Sequence, residues 1–222
     1  MYKEKINNVE LQRLVALKCD KLDFADVTDE DIKKISNITL RGILINGNPS
    51  GIDLDCVESF PGLEKLSIYD YAITQDLINT LTELKQVKIL EFGNCSFEDI
   101  DFENIQEKLS RIRFTGCESL PAKYPKTKKV QVAGSKIDFS SIDFKQVEDV
   151  AILESIVSNA HDLDEFSEIK SVNLDGSTLF NNEGNLISDI KVSENTVYTH
   201  ALKLDISNGR DINYEIWYWK IN

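Results

Sequence analysis

Apolar residues recur along this chain at the first, fourth and sixth positions of a unit about 22 residues long. Polar residues separate them, and a small residue usually follows three positions after the last apolar one. A sequence period of roughly 20 to 50 residues is typical of a solenoid, in which short strands of successive coils stack into one parallel sheet. The clearest copies are Leu63-Leu66-Ile68, Val87-Leu90-Phe92, Leu109-Ile112-Phe114, Val147-Val150-Ile152 and Ile169-Val172-Leu174.

The pattern predicts about eight irregular coils. In the second coil the predicted register is Leu40-Ile43-Ile45, and in the sixth Thr127 takes the place of an apolar residue. The first positions of the eight units are Leu14, Leu40, Leu63, Val87, Leu109, Thr127, Val147 and Ile169.

The best single copy has Val87, Leu90, Phe92, Cys95 and Phe97 at its characteristic positions. It resembles the leucine-rich repeat, L-x-x-L-x-L-x-x-N/C-x-L, in the short bacterial form of internalin-type proteins. The resemblance covers roughly residues 11–180. It implies a curved α/β solenoid with a parallel sheet on the concave face and short helices or 3₁₀ turns on the convex side. It also implies that partners bind on the concave sheet face.

One column of residues is expected to satisfy backbone groups that the turn after each strand leaves unpaired. The family uses Asn or Cys there, and a serine hydroxyl is a small group that can serve the same purpose. The column in this chain is Leu22, Asn48, Tyr71, Cys95, Cys117, Ser135, Ser155 and Ser177.

The segments between strands differ in the structure they predict. Thr28 is a suitable N-cap for a short helix with acidic residues in its first turn, and residues 76–84 favour a second helix. Later connections are too short for a full helix. Three Ile-Asp-Phe triplets, at 100–102, 137–139 and 142–144, are expected to place apolar side chains under the convex wall.

The last forty residues lose the period, which suggests two regions. We expect a leucine-rich repeat solenoid over residues 1–180 and a small antiparallel β cap over 181–222. Asn208-Gly209 between apolar runs predicts a hairpin in that cap, with Trp217 and Trp219 on one face of its last strand. That aromatic face is an alternative partner site.

The formal net charge of -13 narrows the choice of partners. Nucleic acid and anionic membranes are disfavoured because both attract basic surfaces. There is no long apolar run and no apolar core near the N-terminus typical of a signal peptide, so we expect a cytoplasmic protein, the alternative being one whose secretion leader has been trimmed. An Ile-, Lys- and Asn-rich composition with short repeats indicates a bacterial source, and we expect a monomer.

Candidate catalytic chemistry is sparse. Cys95 and Cys117 occupy equivalent places in adjacent coils and are expected to be buried thiols. The two histidines, His161 and His200, have no nearby cluster that would complete a metal site. We therefore expect no enzyme activity, no metal and no cofactor.

The remaining candidate is the outward face of the predicted sheet, where Arg111, Arg113 and Lys129 form a basic patch in an acidic chain. The predicted function is non-catalytic protein–protein recognition on that face. Two alternatives are an acidic inhibitor or immunity-type protein for a basic toxin or nuclease, and a structural scaffold that assembles through the aromatic hairpin. The predicted partner-binding residues are Tyr69, Arg111, Arg113, Lys129, Gln131 and Leu153.

Overall fold

The chain is a β-solenoid with a long, mostly parallel sheet and few helices. The computed structural model describes residues 2–42, 44–45, 48–49, 57–97, 100–102, 105, 109–163, 168–200 and 218–219. No helix within these ranges has both the length and the apolarity to span a bilayer.

Helices are concentrated in the first half of the described chain. The α-helices are α1 (Val9–Lys18), α2 (Asp29–Lys33) and α3 (Gln75–Glu83). Single 3₁₀ turns lie at Lys3–Lys5, Phe24–Asp26, Val57–Ser59 and Phe139–Ser141.

Strands follow one another along the rest of the chain. They are β1 (Asn37–Arg41), β2 (Leu44–Ile45), β3 (Asn48–Pro49), β4 (Lys65–Tyr69), β5 (Ala72–Ile73), β6 (Ile89–Gly93), β7 (Ser96–Phe97), β8 (Arg111–Thr115), β9 (Thr127–Ala133), β10 (Lys136–Asp138), β11 (Val147–Leu153), β12 (Ile156–Ser158), β13 (Ser171–Asn173), β14 (Thr178–Phe180), β15 (Leu186–Ile187), β16 (Val197–Thr199) and β17 (Tyr218–Trp219).

The long sheet has nine strands in the order β1-β4-β6-β8-β9-β11-β13-β16-β17. Every pairing from β1 to β16 is parallel, and β17 pairs antiparallel with β16. A second sheet of four short strands, β10-β12-β14-β15, lines another side of the coils, and β5 pairs with β7. The coils of β4, β6, β9, β11 and β13 therefore each add a shorter strand after the long-sheet strand, namely β5, β7, β10, β12 and β14.

The core lies inside the coils and is filled by the predicted repeat positions. Leu66, Leu90, Ile112, Val130 and Val150 are all buried at the fourth position. Aromatic rings fill the middle of the stack, with the Phe92 and Phe114 rings 5.6 Å apart. The isoleucine and phenylalanine side chains of all three Ile-Asp-Phe triplets are buried, as predicted. The residues are Ile100, Phe102, Ile137, Phe139, Ile142 and Phe144.

A corner residue with positive φ follows the long-sheet strand in six successive coils. Non-glycine residues rarely adopt this left-handed conformation, since Cβ approaches the following carbonyl oxygen. The φ angles are 58° at Asp70, 50° at Asn94, 62° at Gly116, 58° at Gly134, 48° at Glu154 and 71° at Gly176. Only short polar residues, glycine and one glutamate occupy this column, which fixes where each coil turns.

The next residue in each coil belongs to the predicted turn column, and there serine hydroxyls satisfy backbone groups. The Oγ of Ser135 accepts a hydrogen bond from the Cys117 backbone N–H at 3.1 Å. The Oγ of Ser155 accepts a hydrogen bond from the Ser135 backbone N–H at 3.2 Å. The Oγ of Ser177 accepts one from the Ser155 backbone N–H, also at 3.2 Å. These hydroxyls form a buried ladder that links four coils.

The first two coils differ from the sequence prediction. Leu14 belongs to α1 rather than to a strand, because Asn8 caps a helix whose Leu11, Val15 and Ala16 join the core. Leu22, predicted in the turn column, is fully exposed.

The first strand of the long sheet lies five residues earlier than predicted. Ile38 pairs with Leu66 and Leu40 with Ile68, so Leu40 takes the sixth position rather than the first. Asn48, which was assigned to the turn column, instead belongs to the short strand β3. The predicted register failed because Ile35-Ile38-Leu40 fits the same apolar spacing.

Two predicted helices are confirmed. Thr28 caps α2 with a complete capping box that includes Asp31, and Thr74 caps α3 by accepting a hydrogen bond from the Leu77 backbone N–H. After α3 the described residues contain no further α-helix, as expected from the shorter connections. From residue 136 onward these connections carry the strands of the second sheet, which was not predicted, and one 3₁₀ turn, because coils this short leave no room for a helix.

The long sheet continues beyond residue 180. Val197–Thr199 pairs in parallel with β13, so another strand joins the stack where the apolar period had become unrecognisable. The predicted Asn208-Gly209 hairpin and Trp217 lie outside the described residues. The division of the chain at residue 180 stays a prediction.

Candidate partner-binding face

The strand register places outward-pointing residues of the long sheet in three columns, which we call the outer face. The predicted columns hold between β4 and β13. The first is Lys65, Ile89, Arg111, Lys129, Asp149 and Ser171. The second is Ser67, Glu91, Arg113, Gln131, Ala151 and Asn173. The third is Tyr69, Gly93, Thr115, Ala133 and Leu153.

All six predicted contact residues lie on the outer face. Arg111 pairs with Lys129 across β8 and β9, and Arg113 pairs with Gln131. Tyr69 and Leu153 stand at the two ends of the third column. The registers predicted from Leu14 and Leu40 would also place Lys18 and Leu44 in the second column, but Lys18 ends α1, and Thr39 rather than Leu44 pairs with Ser67.

Three cations on the outer face have no anionic partner within the described residues: Arg111, Arg113 and Lys129. Arg111 is exposed, and the other two are half-buried. The Nε of Arg113 is buried and has no hydrogen-bond partner there either. An unsatisfied buried donor is costly, so this nitrogen lowers the stability of the free protein.

The charges that surround these cations are already paired. The Nζ of Lys65 lies 2.9 Å from Oε2 of Glu91, and the Ser67 hydroxyl donates to the same oxygen at 3.1 Å. Asp149 accepts a hydrogen bond from the Ser171 hydroxyl at 2.8 Å. Glu91 and Asp149, the acidic side chains nearest the patch, therefore already have partners on an adjacent strand.

Small residues fill the third column beside the basic patch, between Tyr69 at one end and Leu153 at the other: Gly93, Thr115 and Ala133. The Tyr69 ring lies over Gly93, where a Cβ would come within 2.2 Å of the ring carbon Cδ1. The Arg41 guanidinium carbon lies 5.4 Å from the centre of the same ring, in cation–π range. At about 4.8 Å per strand, Tyr69 and Leu153 are about 19 Å apart along the stack.

Sequence reasoning missed two contributors to this face. Arg41, which packs on Tyr69, was overlooked because the second coil had been assigned the wrong register. The outward position of Thr39 was missed for the same reason. The signal that could have revealed both was the alternative spacing Ile35-Ile38-Leu40.

The cysteines and histidines are held by backbone groups. Burial raises the pKa of the Cys95 thiol to about 11 and also raises the pKa of Cys117. The Cys95 Sγ lies 3.3 Å from the Gly93 carbonyl oxygen. Such thiols are weak nucleophiles because little thiolate is present at neutral pH.

His161 is exposed, and its Nδ1 lies 3.1 Å from the Asn159 carbonyl oxygen. His200 is buried, with its two ring nitrogens each 3.0 Å from a carbonyl oxygen, of Ser188 and of Ser177. Every hydrogen bond recorded for the two rings in the described part of the chain therefore involves a backbone carbonyl. In the same ranges no group of three or more His, Cys, Asp or Glu side chains is arranged to hold a metal ion.

The architecture defines a repeat protein of the β-solenoid class. Neither a scan against models of known protein families nor a search of curated proteins found a match to the chain. Function is therefore inferred from the fold and from the outer face.

Proposed function

We propose that this chain is a non-catalytic recognition protein that binds a protein partner on its outer face. The observation that carries this proposal is the cluster of three unpaired cations, Arg111, Arg113 and Lys129, on a face where Glu91 is paired with Lys65 and Asp149 is hydrogen-bonded to Ser171. Tyr69 and Leu153 add apolar contact area at either end of the neighbouring column.

The composition of the face supports this proposal. Arginine and tyrosine are enriched among the residues that dominate binding energy at protein interfaces. The sheet backbone is fixed by hydrogen bonds to neighbours on both sides, so little order has to be imposed on binding. The small residues of the third column, Gly93, Thr115 and Ala133, also let the backbone of another chain approach the sheet.

We further propose that the solenoid is of the leucine-rich repeat type, which would make the outer face its concave surface. The spacing of buried residues at the first, fourth and sixth positions supports this, as do Cys95 and Cys117 in the turn column. The proposal includes a monomeric, cytoplasmic bacterial protein without metal or cofactor.

A capture experiment from lysate of the source cell tests the role of the outer face. Wild-type protein is compared with the double variant Arg111→Glu/Arg113→Glu. The matched control is Lys85→Glu/Lys136→Glu, which makes the same change in charge at two exposed lysines away from the face. We expect a partner that wild type and control retain and that the arginine variant loses. Equal retention by all three would overturn the proposal.

The strong net negative charge favours a second candidate, an acidic inhibitor of a basic toxin or nuclease. That candidate predicts a basic partner held by acidic surfaces. The arginine variant should then retain this partner or hold it more tightly. Light scattering at two concentrations addresses the third alternative, since assembly through the C-terminal aromatic residues would raise the mass with concentration.

A further inference from the structure

We infer that the segment recognised by the outer face is acidic: an extended stretch of a partner protein whose Asp or Glu carboxylates bind Arg111, Arg113 and Lys129. This inference rests on the proposed function and adds the chemistry of the partner to it. The outer face supplies two guanidinium groups and one ammonium group without a counter-charge in the described chain.

Charge pairing between neighbouring coils shows why the cluster is unusual. Elsewhere along the stack, a cation in one coil meets a carboxylate in an adjacent coil: Lys65 meets Glu91, Lys88 meets Glu64, and Lys170 meets Glu148. At the corresponding place on β8 and β9, Arg111 is paired in register with Lys129. Like charges directly opposite on adjacent strands are destabilising.

The chain has 38 acidic and 25 basic residues, so carboxylates are abundant. Glu91 and Asp149 are the register neighbours of Arg113 and Lys129, but their carboxylates contact Lys65 and Ser171 instead, and Arg111 stays opposite Lys129 in the free protein. A bound carboxylate between Arg111 and Lys129 would replace repulsion with attraction.

The spacing of the cations suits an extended peptide. Arg111 and Arg113 alternate along β8, so their Cα atoms are about 6.8 Å apart, the repeat of every second residue in a strand. Carboxylates at alternate positions of an extended segment have the same spacing. The planar Arg113 guanidinium can hold a carboxylate through two parallel hydrogen bonds, and Gln131 beside it can bind peptide backbone groups.

Thr115 and Ala133, which are paired in the third column, are small enough to let the backbone of such a segment approach the sheet. Tyr69 and Leu153 can then contact apolar side chains at its ends. A nucleic acid fits the outer face less well, because three cations are few for a phosphate backbone. The acidic chain also repels an acidic segment at long range, but at physiological ionic strength this repulsion is screened over about 8 Å, so the local patch governs binding.

A titration of isotope-labelled protein with hexaglutamate, followed by NMR at about 0.15 M salt, tests this inference. Hexaglutamate is the acidic probe; hexalysine and a single-stranded DNA dodecamer are the comparison probes. We expect hexaglutamate to shift the resonances of β8 and β9. Its affinity should fall by at least about tenfold in Arg111→Glu/Arg113→Glu, since two charge-assisted contacts become repulsive. The Lys85→Glu/Lys136→Glu control should stay within about twofold of wild type, because exposed charges away from the contact contribute little.

The conservative variant Arg111→Lys/Arg113→Lys is the control for a loss of binding caused by misfolding of the glutamate variant. It keeps both charges and should retain shifts at β8 and β9 with an affinity reduced only a fewfold. Hexalysine should leave these strands unshifted.

The outcomes separate this inference from the proposed function. If hexaglutamate shifts nothing on β8 and β9 while the captured partner still depends on the two arginines, the acidic segment is wrong and the recognition face stands. If DNA shifts the same strands as strongly as hexaglutamate, recognition of an acidic peptide is wrong. If no partner depends on the arginines and hexaglutamate does not bind, both proposals fail.

Discussion

At the scale of single residues, the corner column determines where each coil turns. The left-handed conformation occurs at Asp70, Asn94 and Glu154 as well as at glycines. Gly134 and Glu154 occupy equivalent corners in adjacent coils, so exchanging residue types between them isolates the cost of the backbone conformation.

Gly134→Ala should destabilise the protein by about 1 kcal/mol, because φ is positive there and a side chain disfavours that region. The added Cβ meets no atom within 4 Å, so crowding does not contribute. Glu154→Gly should stabilise by about 0.5 to 1 kcal/mol for the same reason. Urea denaturation measures both. Equal effects of the same sign would contradict the account of the corners.

Ser155→Ala should destabilise by about 1 to 3 kcal/mol, because the buried Ser135 backbone N–H loses its acceptor. Ser141→Ala is the control: its hydroxyl also donates to a backbone carbonyl, but it is exposed. That change should stay within about 0.5 kcal/mol of wild type. If the two variants are equally stable, the ladder of hydroxyls contributes little.

The buried Cys95 thiol predicts sensitivity to alkaline pH. Its pKa is raised from 9.0 to about 11 in the folded protein, so the folded state disfavours the thiolate that the unfolded chain forms more readily. The contribution of the protonated thiol to the free energy of unfolding is fully present below pH 9 and is lost as the pH rises toward about 11. In Cys95→Ser the fall in unfolding free energy across this range should be shallower. Parallel curves for the two proteins would exclude Cys95 as the cause.

At the scale of elements, the apolar spacing predicted the middle strands because both their periodicity and their burial follow it. The same spacing could not locate β1, since Leu40 completes one valid unit and begins another. Helix α1 was missed because Leu11, Val15 and the neighbouring apolar residues suit a helical face as well as a coil. The second sheet was missed because its strands are only two or three residues long.

Tyr69 and Gly93 form a pair that joins β4 to β6. Gly93→Ala should push the ring away from its position, because the new Cβ would overlap ring atoms at 2.2 Å. We expect a loss of about 1 to 3 kcal/mol in stability. In a Tyr69→Ala background the same substitution should cost much less. Additive effects in this double-mutant cycle, measured by thermal or urea unfolding, would show that the two residues are independent.

At the scale of the whole molecule, the sequence predicted which residues lie on the outer face but not which of their charges form ion pairs. Arg111, Arg113 and Lys129 were predicted on one face from alternation alone. Which carboxylates reach them depends on side-chain conformations across strands, such as the pairing of Glu91 with Lys65 rather than with Arg113. The unpaired Arg113 Nε became apparent only in three dimensions.

A solenoid is stabilised by contacts between adjacent coils, so the protection of backbone amides against hydrogen exchange should vary along it. Amides of β6, β8 and β9 should exchange with solvent most slowly, because each strand has neighbours on both sides and aromatic rings pack beneath them. Amides of the short pair β2 and β3 should exchange fastest. Hydrogen exchange followed by mass spectrometry measures the gradient. Uniform protection would instead indicate a single cooperative unit.

The corners recur after 24, 22, 18, 20 and 22 residues, although the strands and corners themselves keep a constant geometry. All the variation in coil length falls in the segments that return from one corner to the next strand. These segments are therefore natural points for grafting: a foreign loop inserted at Ser140–Ser141, in the 3₁₀ turn before β11, would lengthen one coil without moving the outer face. The residues of the outer face and the lengths of the connecting segments can therefore change independently in this architecture.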